Sequence, residues 1–390
     1  MKAVPESLES LVARADRLYH DVGLESVAAW KAKRPGAKAF GFMPVWAPRE
    51  LIHAAGVLPV GIMGGGDDVE IIKGDACYQS YICHIPRSTI EMGLNGSLEA
   101  LDGMVFPSIC DVIRNLSGMW KMMFPGKASF YLDLPQSFDD IGIDFFAAEL
   151  GRLGEVLEEM TGKAVDPKEL RRSIALYNEN KSLIRELYDA RAETPWFFPT
   201  AEVYVVLRAG NVMPVDEHNR FLADYMAAAR ASGRRLMDNA RVVVAGSFCE
   251  QPPLGLIKTI ERSGCYIVDD DFVLGSRLIE GDVALDGDPI RALSEAFVKK
   301  SREASFLYRE KDKGAELAER VKRRQAEGVL FCAPSFCDPA LLDQPLLTGA
   351  VDAAAIPHTS FKYAENTGQF HVIKEQAGAF ADSIKLWSHQ

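Results

Sequence analysis

Pro107-Ser108-Ile109-Cys110-Asp111 and Pro334-Ser335-Phe336-Cys337-Asp338 repeat one pattern, Pro-Ser-apolar-Cys-Asp, more than two hundred residues apart. A thiolate is a nucleophile and a soft metal ligand, so position decides what each of the seven cysteines can do. Cys110 follows the apolar run MVFPSI, Cys337 follows VLFCAPSF and Cys249 follows RVVVAGSF; all three therefore sit at the exits of predicted strands. Functional residues of open α/β sheets belong at such exits. Cys265 and Cys332 instead fall inside apolar strand runs and read as small buried hydrophobes.

Cys77 and Cys83 lie in DACYQSYICHIPRSTIEMGL, which the pattern predicts as a helix. Six residues at 100° each set them about 600° apart, so they share no helical face. Cys83 is followed by His84, Pro86 and Arg87, which mark a bend or a terminus at a site. Cys83, Cys110 and Cys337 would draw ligands from elements far apart in the chain, and Cys249 and His84 are candidates to line the same cleft.

Compact motifs are missing. Without a C-x-x-C the chain carries neither a zinc ribbon nor the ferredoxin run. Without G-x-x-x-x-G-K-[ST] it has no P-loop and hence no expected ATP site. GIMGGGDD (61–68) follows a strand but does not fit G-x-G-x-x-G, so it reads as a turn. No His pair stands at i, i+4.

The elements that must hold these residues alternate. Apolar runs at 39–46, 57–64, 104–109 and 128–134 are strand candidates, with helix candidates at 48–56 and over DVIRNLSGMWKMMF. A second series begins with RVVVAGS, continues through the helix PPLGLIKTIERSG and the strand CYIVDDD, and ends in GVLFCAPSFCDP. Such alternation predicts βαβ units and parallel sheets. Between the two series lie long helical periodicities such as DPKELRRSIALYNENKSLIRELYDAR, opened by an Asp suited to cap it. The expected organisation is an α/β fold: an N-terminal helical segment (1–35), a first α/β domain (36–160), a helical connection (161–240) and a second α/β domain (241–390).

A formal net charge of −11 argues against nucleic acid, because a phosphate backbone needs a basic face. No apolar run reaches the roughly 18 residues that span a bilayer, and the charged N-terminal pattern lacks the apolar centre of a signal peptide. The expected location is the cytoplasm, where cysteines stay thiols or bind metal.

Taken together, QSYICHIPRSTIEMGL, DGMVFPSICDVIRNL, GSFCEQPPLGLIKTIERSGCYIVDDD and VLFCAPSFCDP resemble the 2-hydroxyacyl-CoA dehydratase and benzoyl-CoA reductase family, from about residue 36 onward. Within it the chain looks most like the smaller substrate-reducing subunit of an ATP-dependent benzoyl-CoA reductase. The resemblance implies two Rossmann-like or flavodoxin-like domains with a [4Fe-4S] cluster between them. Carried onto this sequence, the three cluster ligands are Cys83, Cys110 and Cys337. It also implies a related second subunit, a separate ATP-hydrolysing iron-sulfur activator, and an aryl-CoA thioester as substrate. Dehydration of a 2-hydroxyacyl-CoA is the nearest alternative. A larger double-cubane cluster that recruits Cys77 or Cys249, and a binding or maturation protein without turnover, stand further off.

Overall fold

The computed structural model describes residues 6–43, 45–248, 251–302, 313–364 and 370–388. Helices α1 (Leu8–Tyr19) and α2 (Glu25–Ala32) precede a first unit of β1 (Lys38–Phe42), α3 (Arg49–Ala54), β2 (Val57–Gly61), α4 (His84–Leu94), β3 (Gly103–Pro107), α5 (Asp111–Met123) and β4 (Ala128–Leu132). Four helices follow: α6 (Asp140–Thr161), α7 (Pro167–Glu193), α8 (Thr200–Ala209) and α9 (Val215–Arg230). As its sequence predicts, α7 is capped by Asp166, whose side chain accepts from the Lys168 N–H. The second unit runs β5 (Ala240–Ala245), α10 (Leu254–Arg262), β6 (Cys265–Asp270), α11 (Leu274–Arg277), α12 (Pro289–Lys300), α13 (Lys313–Arg323), β7 (Gly328–Pro334), α14 (Asp338–Ala353), β8 (His358–Tyr363) and α15 (Phe370–Ser388).

Both sheets are four-stranded and parallel, with strand orders β2-β1-β3-β4 and β6-β5-β7-β8. The two units thus share one topology, that of the flavodoxin-like doubly wound fold, as expected. The central strands read as unbroken apolar runs because both of their faces are covered. In β5, Val242 and Val244 enter one core while Val243 and Ala245 enter the core across the sheet. Leu330 and Cys332 of β7 side with the first pair, Val329 and Phe331 with the second. Cys265 and Cys332 are buried strand residues, as their apolar surroundings predict.

The units are locked to one another. One continuous core contains Phe40, Val105 and Ile109 of the first unit together with Phe248, Leu274, Ala333 and Cys337 of the second. Trp46, Phe146 of α6 and Phe297 of α12 stack with ring centroids 4.6–5.7 Å apart. Such aromatic clusters give large apolar burial with defined geometry, which holds the exits of the two sheets in fixed relation.

Candidate functional site

The repeated Pro-Ser-x-Cys-Asp run is one structural device used twice. β3 ends at Pro107, opposite Leu132 of β4, and β7 ends at Pro334, opposite Tyr363 of β8. The next N–H extends the ladder in both sheets: Ser108 donates to the Leu132 carbonyl at 2.9 Å and Ser335 to the Tyr363 carbonyl at 2.7 Å. The serine hydroxyls add a second tie, Ser108 Oγ accepting from the Leu134 N–H at 2.8 Å and Ser335 Oγ donating to the Tyr363 carbonyl at 2.9 Å. Cys110 and Cys337 then occupy the N-cap positions of α5 and α14, and Asp111 and Asp338 place a carboxylate in each first turn, where the helix dipole favours it.

Cys83 reaches an equivalent position by another route. The sequence pattern predicts one helix through Cys77 and Cys83, but the chain is irregular between a single 3-10 turn (Gly74–Ala76) and α4, and Cys83 is the N-cap of α4. The 600° argument therefore does not apply. Pro86 stays compatible with α4 because it lies in the first turn, where no intrahelical N–H is required. What shapes the preceding loop is Glu91 of α4, whose Oε2 accepts the N–H groups of Ile72, Lys73 and Gly74 at 2.9, 2.6 and 2.9 Å. Burial works against its charge, but these three donors prevail and hold the Glu91 pKa below the usual carboxylate value. Gly74 passes so near α4 that an added Cβ would come within 2.2 Å of the Arg87 carbonyl oxygen. Gly64, at φ 76°, likewise would bring a Cβ within 2.8 Å of Ser88 Oγ. The glycines of GIMGGGDD thus let the loop lie against α4.

The structure places Cys77, Cys83 and Cys110 near Tyr78, and Cys337 near Cys110. Burial pushes the Tyr78 hydroxyl well above its ordinary pKa, and Cys77, Cys83 and Cys110 each push it the same way. The hydroxyl itself is buried and has no hydrogen-bond partner. Cys110 is pushed up to about 11, first by burial and further by the nearness of Cys337 and Asp111, while the N–H groups of Ile113 and Val112 pull it down. Two such thiols cannot both ionise cheaply unless a cation stands near them. Cys83 and Cys337 are 9% and 3% exposed, Cys110 is half-buried, and the Cys77 thiol lies 3.7 Å from the Lys73 carbonyl oxygen. His84 is the buried first residue of α4; Cys249 lies outside the described residues.

Cysteine is an unusual N-cap, since Ser, Thr, Asp and Asn cap far better. At α4 and α14 no N-cap side-chain hydrogen bond is made, while at α5 the N–H groups of Val112 and Ile113 point at the Cys110 sulfur. Three helix starts, each with a cysteine at its N-cap, form a setting for an anionic, thiolate-held group. Among the described residues no group of three or more His, Cys, Asp or Glu side chains is placed to hold a metal ion.

Sequence reasoning missed Tyr78 and Glu91, and it passed over Asp269-Asp270-Asp271 at the exit of β6. Arg277 pairs with Asp269 at 2.9 Å, Arg191 with Asp270 at 2.6 Å, and Tyr188 donates to Asp270 at 2.8 Å. Asp271 accepts the N–H groups of Gly246 at 2.6 Å and Ser247 at 3.3 Å and so fixes the exit of β5. Three successive acids at a strand exit were the available signal.

Fold and site define an α/β protein with twin flavodoxin-like units that gathers N-cap cysteines from both units. The sequence model of the 2-hydroxyglutaryl-CoA dehydratase D-component family matches residues 44–384. A benzoyl-CoA reductase subunit of Thauera aromatica is 54% identical over 385 residues, covering 98% of this chain and 100% of that one. The beta subunit of the (R)-2-hydroxyglutaryl-CoA dehydratase of Acidaminococcus fermentans is 29% identical over 360 residues, 91% of this chain and 94% of its own. The (R)-phenyllactyl-CoA dehydratase beta subunit of Clostridium sporogenes is 26% identical over 354 residues, 90% and 93% of the two chains. The chain belongs to the 2-hydroxyglutaryl-CoA dehydratase D-component family and is a subunit of an enzyme. Among the described residues no helix is long and apolar enough to cross a membrane.

Proposed function

We propose that this chain is the iron-sulfur subunit of an ATP-dependent benzoyl-CoA reductase and that Cys83, Cys110 and Cys337 hold a [4Fe-4S] cluster. The observation that carries the reading is that all three cysteines stand at the N-caps of helices, two of them at matching places in two sheets. These residues suit such a group: thiolates supply the ligands, three positive helix ends favour its negative charge, and the orphaned Tyr78 hydroxyl offers a donor. Bound there, the cluster would supply single low-potential electrons to the ring of an aryl-CoA thioester, giving a cyclic dienoyl-CoA.

The chain's own residues hold and shield. The core that joins Ile109, Phe248, Leu274 and Cys337 keeps water from one side of the cysteines, and the Glu91 anchor fixes the loop that carries Cys77, Tyr78 and Cys83. Three thiolates leave one iron of four without a protein ligand, the open position that contact with a substrate or a second cluster requires. A related second subunit and a separate ATP-hydrolysing activator complete the enzyme, in the cytoplasm. An identity of 54% to a reductase subunit, against 29% and 26% to dehydratase subunits, favours reduction over dehydration.

Anaerobic purification followed by iron and sulfide analysis tests this, with about four of each expected per chain. Continuous electron consumption per product marks a reductase; a catalytic trace of electrons would mark a dehydratase. Iron-free protein from anaerobic cells would overturn the cluster assignment.

A further inference from the structure

A polar cavity of about 270 Å³ opens between α7 and the second unit, lined by Lys181, Arg185, Arg277, Arg302, Arg323 and Arg324 against two carboxylates, Asp189 and Glu280. Four of the six cations are already matched: Arg185 with Asp282 at 3.1 Å, Arg277 with Asp269 at 2.9 Å, Arg302 with Glu280 at 3.1 Å, and Arg324 with Asp189 at 2.5 Å and Asp269 at 2.7 Å. Lys181 and Arg323 make no side-chain hydrogen bond among the described residues. Lys181 is 6% exposed, and its buried ammonium has no hydrogen-bond acceptor; its ion pair with Glu50 is 4.0 Å long. The Arg323 side chain, at the end of α13, makes no hydrogen bond or ion pair among the described residues.

A buried ammonium without an acceptor is costly, and a cavity that collects so many donors offsets that cost only when an anion enters it. A buried ammonium whose ion pair is long and without a hydrogen bond, beside an unpaired guanidinium, suits a doubly charged anion better than a single carboxylate, and guanidinium forks fit phosphate oxygens two at a time. We propose that this cavity binds a phosphate group, with Lys181 and Arg323 as its principal ligands. The site does not depend on the reading of the cysteines. Arg277 and Arg302 also line the cavity at the exits of β5 and β6, beside Gly246, Asp271 and Ala340, so they form the wall between the phosphate site and the sheet exits. Two sources share this chemistry, free phosphate and the 3′-phosphate of coenzyme A.

The test is calorimetric titration of the full chain at low ionic strength with inorganic phosphate, and in parallel with coenzyme A and its 3′-dephospho form. Wild type binds, and Arg323→Gln and Lys181→Met each weaken binding about tenfold, the worth of one charge-assisted hydrogen bond. Coenzyme A binding that needs both the 3′-phosphate and Arg323 identifies the thioester tail as the source; binding of inorganic phosphate alone identifies the free anion. Arg323 is exposed, so its variant keeps the test decisive if Lys181→Met fails to fold. The proposal is overturned if no probe binds wild type, or if binding is unchanged in the variants. Iron analysis of the same preparations reports on the cluster separately, so the two readings fail independently.

Discussion

Cys110 and Cys337 hold the same address in different sheets: each caps the helix that leaves the third strand of a 2-1-3-4 sheet, three residues beyond the last paired proline. Their mutual nearness raises the Cys110 thiol, a cost that an apolar pair would not bear. A cation that both thiolates face removes it.

On the proposed ligand assignment, serine at Cys83, Cys110 or Cys337 is expected to lose the cluster iron, while serine at Cys265 or Cys332 is expected to retain it and to cost about 1–3 kcal/mol of stability through a buried hydroxyl. Iron content and thermal unfolding, measured side by side, separate the two groups. Full iron in Cys110→Ser would sink the ligand assignment.

Tyr78→Phe keeps the ring and removes an unpartnered hydroxyl. Without metal, the variant is expected to be as stable as wild type or slightly more so, since no hydrogen bond is lost. With the cluster loaded, loss of a nearby donor moves the reduction potential to more negative values, because hydrogen bonds to cluster sulfurs favour the reduced form. A redox titration followed by electron paramagnetic resonance reads the shift; an unmoved potential at full iron content excludes Tyr78 from the cluster's surroundings.

Glu91 gives a pH signature. Its folded pKa is depressed, so its contribution is present above the unfolded value near 4.3 and is lost as pH falls through the lower folded value. Wild type should lose stability relative to Glu91→Gln below about pH 4. At pH 7, Glu91→Ala costs about 2 kcal/mol or more, because three loop N–H groups lose their acceptor. Parallel pH profiles of wild type and Glu91→Gln would disprove the anchor.

Asp271 has the opposite sign. Burial pushes it up to about 7, helped by Asp270 and opposed by Arg320 and the Gly246 and Ser247 N–H groups. A raised carboxyl stabilises the fold most below the unfolded pKa, and that contribution is lost as pH rises through 7. Denaturation at pH 5 and at pH 8 should show wild type losing stability relative to Asp271→Asn. A gap that does not change with pH counts against a buried, proton-holding Asp271.

Much of this was legible in the residues. Apolar runs bounded by Gly and Pro mark the strands, because a strand covered on both faces needs apolar side chains throughout, as β5 and β7 have. Cys265 and Cys332 read as core for the same reason, and the resemblance carried by the cysteine segments pointed to the family. The segment from Asp75 to Leu94 misled, since its helical pattern continues back through Cys77 while Glu91 claims the loop N–H groups that a longer helix would have used. Local pattern records which residues alternate, and so the sequence by itself determined seven of the eight strands and the twin exits that carry Cys110 and Cys337, but not β8. Which groups meet was decided by tertiary structure alone: Cys83 as a third helix cap, the Tyr78 hydroxyl among the thiols, and Lys181 and Arg323 lining one cavity. Contacts between residues a hundred or more positions apart depend on how two sheets pack, and the aromatic and apolar core between the units settles that packing.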